Sequence, residues 1–172
     1  MTQTERQNAG LENQAVQQRR PMFHRVLKAT PAAVRETLVT VHRRFRDETD
    51  HDTLGRLELV LAEVMNNITE HAIPDRNGAA GQRCPVIHLS IVSHVTGLAC
   101  ALTDDGAILP SDCLLPRNLP QCLQQDLPEG GFGWFLIQDL TQELCYYREG
   151  ERNYLAFRIP WTEAAPPENA CP

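Results

Sequence analysis

The segment LELVLAEVMNNITEHA, residues 57–72, places its apolar residues with the period of an α-helix. At 100° per residue these side chains form one continuous arc, which predicts a helix with one face in a hydrophobic core. The arc consists of Leu57, Val60, Leu61, Val64, Met65, Ile68 and Ala72.

Three polar residues, Glu63, Asn67 and His71, follow one another along this helix at i, i+4 and i+8. Because the spacing drifts by about 40° per step, Glu63 is expected just outside the apolar arc, Asn67 at its edge and His71 inside it. A carboxylate, an amide and an imidazole are costly on the core side of a helix unless something there uses them. The three are therefore candidate site residues. The alternative interpretation is a pair of partly exposed polar residues with one hydrogen-bonded core histidine.

Alternating or apolar segments on both sides of this helix predict the other elements. Thr30 followed by Pro31 is typical of a helix start, and Asp50 or Asp52 can cap the central helix. The order strand, two helices, two strands, long loop, helix, two strands favours an α+β fold with one sheet covered on one face. The predicted strands are 23–29, 86–92, 97–102, 143–147 and 154–159, and the predicted helices are 31–46, the central helix up to about Pro74, and 133–140.

Residues 106–131 contain four prolines and scattered polar residues, which predicts a long loop. Long loops in compact domains are often lids or binding segments. Residues 1–20 and 163–172 are predicted to be disordered tails, which leaves one domain over residues 21–162. A chain of 172 residues is long enough for one domain with a sizeable core.

Composition argues against several functional classes. The formal net charge of −6 argues against a nucleic-acid groove, which needs clustered Lys and Arg. The six cysteines form neither a CxxC pair nor a metal-type spacing with histidine, which indicates a reduced intracellular protein. No apolar h-region begins the chain and no run is long enough to cross a bilayer. We therefore expect a cytoplasmic protein without a membrane partner.

Two further clusters could converge with the helical one. The DDG sequence at 104–106 ends a predicted strand, where an acid can accept a hydrogen bond from an amine and glycine lets a ring approach the backbone. The GGFG sequence at 130–133 opens a predicted helix, where backbone N–H groups can bind phosphate. Each cluster alone has an ordinary alternative, a surface turn for DDG and a flexible loop for GGFG. The glycine cluster matches neither a Walker A loop nor a Rossmann fingerprint.

Together, ExxxN on a helix, DxG after a strand and GGxG before a further helix resemble the GHKL ATPase superfamily, which has the Bergerat fold. The NITEHA sequence at 67–72 is similar to that of the bacterial anti-sigma-factor serine/threonine kinases. The resemblance covers roughly Phe23 to Pro160, and its motifs occur in the family's order. It implies a two-layer α+β sandwich, with one mostly antiparallel mixed sheet covered on one face by helices and with an ATP lid.

The resemblance also implies roles for the residues of the helical motif. Glu63 matches the family's general base, and Asn67 matches its Mg²⁺ ligand. His71 matches a histidine that follows this asparagine in the subfamily. The implied cofactors are ATP and Mg²⁺.

The other two motifs carry over in the same way, with one departure. Asp104 matches the acid that hydrogen-bonds the adenine amino group, and Gly106 matches the glycine beneath the ring. Gly131 and Gly133 match glycines whose backbone contacts the phosphates. The second glycine of the family's DxGxG motif corresponds here to Ile108. In the predicted lid, residues 109–129, the one basic residue is Arg117.

The function implied by the resemblance is that of a serine/threonine protein kinase and anti-sigma factor. Such a protein phosphorylates a small antagonist protein, the anti-sigma-factor antagonist, and sequesters a sigma factor. The exposed part of the first helix could also support a homodimer. A second interpretation is a nucleotide-gated or nucleotide-free binding module that sequesters a regulator. A third, the detached catalytic domain of a sensor histidine kinase, is disfavoured because no dimerising helical hairpin precedes the ATP motifs.

Overall fold

The structure is a computed structural model that describes residues 21–71, 83–109 and 132–162. The predicted tails, the lid from residue 110 onward, Arg117 and Gly131 lie outside these residues. Within them the chain forms five strands and three helices, close to the predicted positions. The elements are β1 (Phe23–Lys28), α1 (Pro31–Phe45), α2 (His51–Glu70), β2 (Val86–His94), β3 (Gly97–Asp104), α3 (Phe132–Leu140), β4 (Gln142–Glu149) and β5 (Arg152–Pro160).

The predicted starts of the two long helices are confirmed by their caps. The Thr30 hydroxyl accepts a hydrogen bond from the Ala33 N–H at 3.3 Å, and Pro31 occupies the first turn. Of the two candidate caps of α2, Asp50 is the one used, because its carboxylate accepts from the Thr53 N–H at 2.8 Å. Local sequence therefore fixes where both helices begin.

The strands form one sheet in the order β1-β2-β3-β5-β4. Every pairing found within the described residues is antiparallel, so this part of the sheet is wholly antiparallel rather than mixed. The register of β3 with β5 places Asp104 opposite Asn153. The α+β fold predicted from the sequence is confirmed.

The helices cover one face of the sheet. Leu57, Leu61 and Met65 of α2 are fully buried, as the predicted apolar arc requires. Alternate strand residues such as Ile87, Leu89 and Ile91 of β2 are buried with them, and they form one core cluster. Because successive strand residues point to opposite faces, the intervening residues face away from this core.

The hairpin of β4 and β5 is tighter than the sequence suggested. We expected a connection spanning residues 148–153, but Arg148 and Asn153 are paired across the two strands. The turn is short because Gly150 adopts a φ of 56°, which glycine takes without strain. Asn153 is consequently a strand residue that faces the interior.

Candidate functional site

A cavity of about 170 Å³, partly open to solvent, lies between α2, the end of β3, α3 and the β4–β5 hairpin. It brings together Asn67, His71 and Asp104, which come from two of the three predicted clusters. Most of the other lining is apolar. The lining residues are Val64, Asn67, Ile68, His71, Asp104, Ala107, Ile108, Leu109, Trp134, Tyr146, Asn153 and Leu155.

Asp104 is a buried carboxylate at one end of the cavity, with 8% of its surface exposed. Its Oδ1 accepts hydrogen bonds from the Gly106 N–H and from Asn153 Nδ2, both at 2.8 Å. Burial raises the pKa of Asp104, and the neighbouring Asp105 charge acts in the same direction. The two hydrogen bonds and the Arg148 charge oppose this rise in pKa. The result is a carboxylate held in one orientation at a cavity wall.

Gly106 has to be a small residue at this end of the cavity. A Cβ at this position would lie 2.8 Å from Asp104 Oδ1 and 3.4 Å from Pro85 Cγ. Any other residue would therefore push against the carboxylate that accepts the Gly106 N–H. The glycine thus keeps the backbone close to Asp104.

The two neighbouring aspartates have different surroundings. Asp105 Oδ1 accepts from the Val86 N–H at 2.7 Å, and its Oδ2 lies 3.1 Å from Arg83 Nη1. Its carboxylate therefore ties the end of β3 to the start of β2. Asp104, in contrast, lies on the cavity side, so the cavity assigns it and not Asp105 to the candidate site.

Glu63, Asn67 and Gly133 form the other end of the site, where α3 packs against α2. A Cβ on Gly133 would clash with Glu63 Oε2 and would lie 3.9 Å from Asn67 Nδ2. Two of the three predicted motifs therefore meet here. The absence of a side chain on Gly133 lets α3 lie close to the Glu63 and Asn67 side chains of α2. Glu63 itself is not among the residues that line the cavity; its carboxylate lies beside the Gly133 backbone.

Asn67 Nδ2 is buried and, within the described part of the chain, has no hydrogen-bond partner. An unpaired buried donor costs about 1–3 kcal/mol. Such a group is expected where a ligand supplies the missing partner. The cavity-facing amide of Asn67 is therefore suited to bind a group that the described residues do not provide.

His71 departs from the sequence expectation. It was expected inside the apolar arc, but the structure shows an exposed residue just after the end of α2. The helix ends at Glu70, earlier than the predicted Pro74, so the 100° step no longer applies to His71. Its N–H still donates to the Asn67 carbonyl at 3.1 Å, which keeps it at the cavity mouth.

Sequence reasoning missed Asn153, Tyr146 and Arg148, which surround Asp104. The Tyr146 hydroxyl and Arg148 Nη1 both donate to Asn153 Oδ1, at 2.9 and 2.6 Å. A signal was present in the sequence. Asn153 has the same parity as Leu155, Phe157 and Ile159, so extending the predicted strand back by one residue places an amide on the core face.

The residues fit a magnesium nucleotide better than a resident metal ion. In the described ranges no three His, Cys, Asp or Glu side chains are grouped so that they could hold a metal ion. Mg²⁺ commonly keeps several waters and takes few protein ligands beside substrate phosphates. Asn67 Oδ1 is the atom of this amide suited to ligate Mg²⁺, whereas the unpaired Nδ2 is a donor suited to a phosphate oxygen. Across the same ranges, no helix combines the length and apolar character needed to span a bilayer.

Comparisons with known proteins agree with this geometry. The family model described as the histidine kinase-like ATPase domain matches residues 27–159. Among solved structures, the chain is similar to the RsbU and RsbW domains of a protein from Mycobacterium tuberculosis, with a TM-score of 0.53 and 14% sequence identity.

That structural match covers 85% of this chain but 34% of the other, so this chain spans about a third of its neighbour's length. At such low identity the likeness concerns the fold. No curated protein gives a significant match. The family match, however, runs from β1 to β5 and includes the cavity and both of its ends, so the chain belongs to the histidine kinase-like ATPase family.

Proposed function

We propose that this protein is an ATP-dependent serine/threonine protein kinase that acts as an anti-sigma factor. Its substrate would be a small anti-sigma-factor antagonist, in a bacterial partner-switching pathway. The observation that carries the proposal is one cavity lined by Asn67 and Asp104, with Glu63 and Gly133 in contact at the Asn67 end. Family membership supports ATP as the nucleotide, and the NITEHA sequence supports the anti-sigma-factor subfamily.

In this proposal the Asp104 end binds the base. The buried carboxylate accepts a hydrogen bond from the adenine amino group, and Gly106 keeps the backbone close to that carboxylate. Apolar side chains such as Ile68 and Leu155 line the cavity and suit a flat aromatic ring. The protein therefore supplies a polar anchor within a mostly apolar slot, as is usual for small-molecule sites.

The Asn67 end would hold the phosphates. Asn67 Oδ1 would hold Mg²⁺, which neutralises charge on the phosphates when bound, and Asn67 Nδ2 would donate to a phosphate oxygen. Gly131 and Gly133 would present backbone N–H groups, and His71 would contact the nucleotide at the cavity mouth. Glu63 would accept the proton of the acceptor hydroxyl as the phosphoryl group is transferred.

The partners follow from the same subfamily. We propose a sigma factor as the sequestered protein, a homodimer as the assembly, and the cytoplasm as the location. The catalytic unit would be a single domain over residues 21–162, with terminal tails outside it.

The experiment is a transfer assay with γ-labelled ATP and purified candidate antagonists, beside a calorimetric titration of Mg²⁺-ATP and ADP. We expect micromolar-to-millimolar nucleotide binding, the ordinary range for enzymes, and label on a serine or threonine of one antagonist. A protein that binds neither nucleotide would refute the proposal. Binding without transfer to any antagonist would refute the kinase activity alone.

A second candidate function is a nucleotide-gated binding module that sequesters a regulator without phosphorylating it. The observation that favours it is the position of Glu63, which lies beside Gly133 and is absent from the cavity lining. Ile108, which replaces a motif glycine, stands 64% exposed at the cavity mouth. Complex formation with a sigma factor that responds to ADP and ATP, without label transfer, would identify this function.

A further inference from the structure

Asn153 lies at the centre of a buried hydrogen-bond network at the base end of the cavity. It is 4% exposed, and its Nδ2 donates to Asp104 Oδ1 and to the Ala107 carbonyl, both at 2.8 Å. Its Oδ1 accepts from the Tyr146 hydroxyl and from Arg148 Nη1. An amide offers two donors and two acceptor lone pairs. Asn153 therefore uses its full hydrogen-bonding capacity in this one place.

The same network holds the backbone that follows β3. Arg148 Nη1 donates to the Gly106 carbonyl at 3.2 Å, and the Leu109 N–H donates to the Tyr146 hydroxyl at 3.0 Å. With the Ala107 carbonyl bonded to Asn153, three points of this segment are tied to the β4–β5 hairpin. The cavity wall at 106–109 is thus held by side chains of another element.

This arrangement accounts for Ile108 in place of a second glycine. The backbone on both sides of Ile108 is fixed by Asn153 and Tyr146, while its side chain lies 64% exposed at the cavity mouth. A glycine would give this segment backbone freedom. Here the hairpin side chains set its path, so a branched residue is accommodated.

We propose that Asn153 is a positioning residue for base recognition, which rests on the proposed nucleotide-binding function. It acts through Asp104. The Gly106 N–H and Asn153 both bond Oδ1, so among the described contacts Oδ2 keeps its lone pairs for a donor on the ligand. Without Asn153, one N–H bond would remain to orient the carboxylate, and the Tyr146 and Arg148 donors would lose their shared acceptor.

The test compares two ligands that differ in one group. ADP carries the 6-amino group, and purine riboside 5′-diphosphate has hydrogen in its place. We expect the wild type to bind ADP roughly tenfold tighter or more, since a site built to hydrogen-bond a group rejects the analogue that lacks it. Asn153→Leu, of similar size but without hydrogen-bonding groups, should reduce this preference towards one.

Tyr146→Phe is the second variant, because it removes one hydroxyl and keeps the ring. It should weaken ADP binding more than analogue binding, by a smaller factor than Asn153→Leu. Tyr147→Phe is the matched control. It makes the same change one residue along β4, on the opposite face, where Tyr147 stacks on Tyr154 with ring centroids 4.6 Å apart. Its preference for ADP should equal that of the wild type.

The readout separates positioning from mere structural support, since a loosened fold would weaken both ligands by the same factor. Equal losses for both ligands, or none, in Tyr146→Phe would overturn the inference even if Asn153→Leu fails to fold. If the wild type binds ADP and every variant keeps the wild-type preference for ADP over the analogue, only this inference is overturned. A wild type that binds neither ligand overturns the proposed function as well.

Discussion

The two ends of the cavity differ in how completely the protein satisfies its own polar groups. At the base end, Asp104 and Asn153 are buried with well-made hydrogen bonds to each other and to neighbouring groups. At the other end, Asn67 Nδ2 is buried without a partner among the described residues, and Glu63 lies beside the Gly133 backbone. The first end is organised before any ligand arrives, whereas the second is left to be completed by one.

This difference matches the chemistry proposed for each end. A base is recognised by geometry, so a carboxylate held rigidly by two hydrogen bonds to its Oδ1 is an advantage. Phosphates and Mg²⁺ bring their own charges and ligands. An unpaired protein group at this end therefore costs the apo protein little more free energy than one unmade hydrogen bond. Substitutions at the two ends should therefore have opposite effects on the free energy of unfolding of the apo protein.

The largest effect is expected from Glu63→Gln. If Glu63 is the general base, phosphoryl transfer should fall by about 10²–10⁴-fold, while ADP affinity changes little because the amide keeps the size of the side chain. Single-turnover transfer and ADP calorimetry measure the two quantities. Glu36→Gln, on the exposed side of α1, is the control and should leave transfer unchanged. Undiminished transfer in Glu63→Gln would refute the base assignment.

Asn67→Ala tests the contrast directly. Removing an unpaired buried amide from a helix should leave the apo protein as stable or slightly more stable, because alanine is the better helix former by about 0.5 kcal/mol. Mg²⁺ should raise the ATP affinity of the wild type, and this gain should be absent from Asn67→Ala because the proposed ligand oxygen is removed. Calorimetry with and without Mg²⁺, beside urea unfolding, gives both numbers.

Asn66→Ala is the matched control for this substitution. Asn66 is the preceding residue of α2 and is exposed, so its replacement should keep the Mg²⁺ dependence intact. Two outcomes would contradict this role of Asn67. One is a loss of several kcal/mol in the stability of the apo Asn67→Ala protein, and the other is ATP binding by this variant that responds to Mg²⁺ as in the wild type.

Gly133→Ala should separate activity from stability. The new methyl group would displace the Glu63 carboxylate, which is the far end of a flexible side chain, so the fold can adjust. Transfer should fall several-fold, whereas stability should hold, since alanine favours the helix by about 1 kcal/mol. Gly55→Ala in α2 is the control, because a Cβ there meets nothing within 4 Å. It should raise the midpoint of urea unfolding and leave transfer unchanged; equal transfer in both variants would contradict the predicted contact.

Features set by local sequence were predictable, and features set by packing were not. Thr30-Pro31 and Asp50 predict the two helix starts correctly, because capping involves residues within one turn of the helix. The contact between Glu63 and Gly133 depends on how α3 lies on α2, which no spacing in the chain reveals. Likewise, Leu102 and Asp104 are two residues apart in a strand, so their side chains are predicted to share a face. That a cavity lies on this face could be seen only in the structure.

The site residues illustrate the same division. The apolar arc of α2 is confirmed up to Ile68, which packs against the core, but the placement of His71 inside this arc was wrong because the helix ends at Glu70. The sequence predicts a loop at Asn153, because residue types alone do not show how tight the turn at Gly150 is. A two-residue turn extends β5 to Arg152, and strand alternation then points Asn153 inward.

The smallest effect concerns pH, and it again contrasts the cavity with a structural position. Burial raises the pKa of Asp104, so the apo fold binds its proton more tightly than the unfolded chain does. Its contribution to stability is therefore present at low pH and lost as pH rises through the raised pKa.

Asp50 behaves oppositely: although burial works against it, hydrogen bonds from Thr162 and Thr53 lower its pKa to about 2. Its contribution is present above the ordinary value of 3.8 and is lost as pH falls towards about 2.

Urea unfolding of the apo protein across the acidic range measures both contributions. Asp104→Asn should flatten the decline in stability as pH rises towards neutrality, and Asp50→Asn should flatten the loss of stability in strong acid. ADP binding adds a second check, because a protonated Asp104 no longer presents a carboxylate to the base. As the pH is lowered, ADP affinity should therefore begin to fall at a higher pH than it would if Asp104 had the pKa of an ordinary aspartate. If it falls only near pH 3.8, Asp104 titrates as an exposed carboxyl does, and the base end is not the buried, organised site described above.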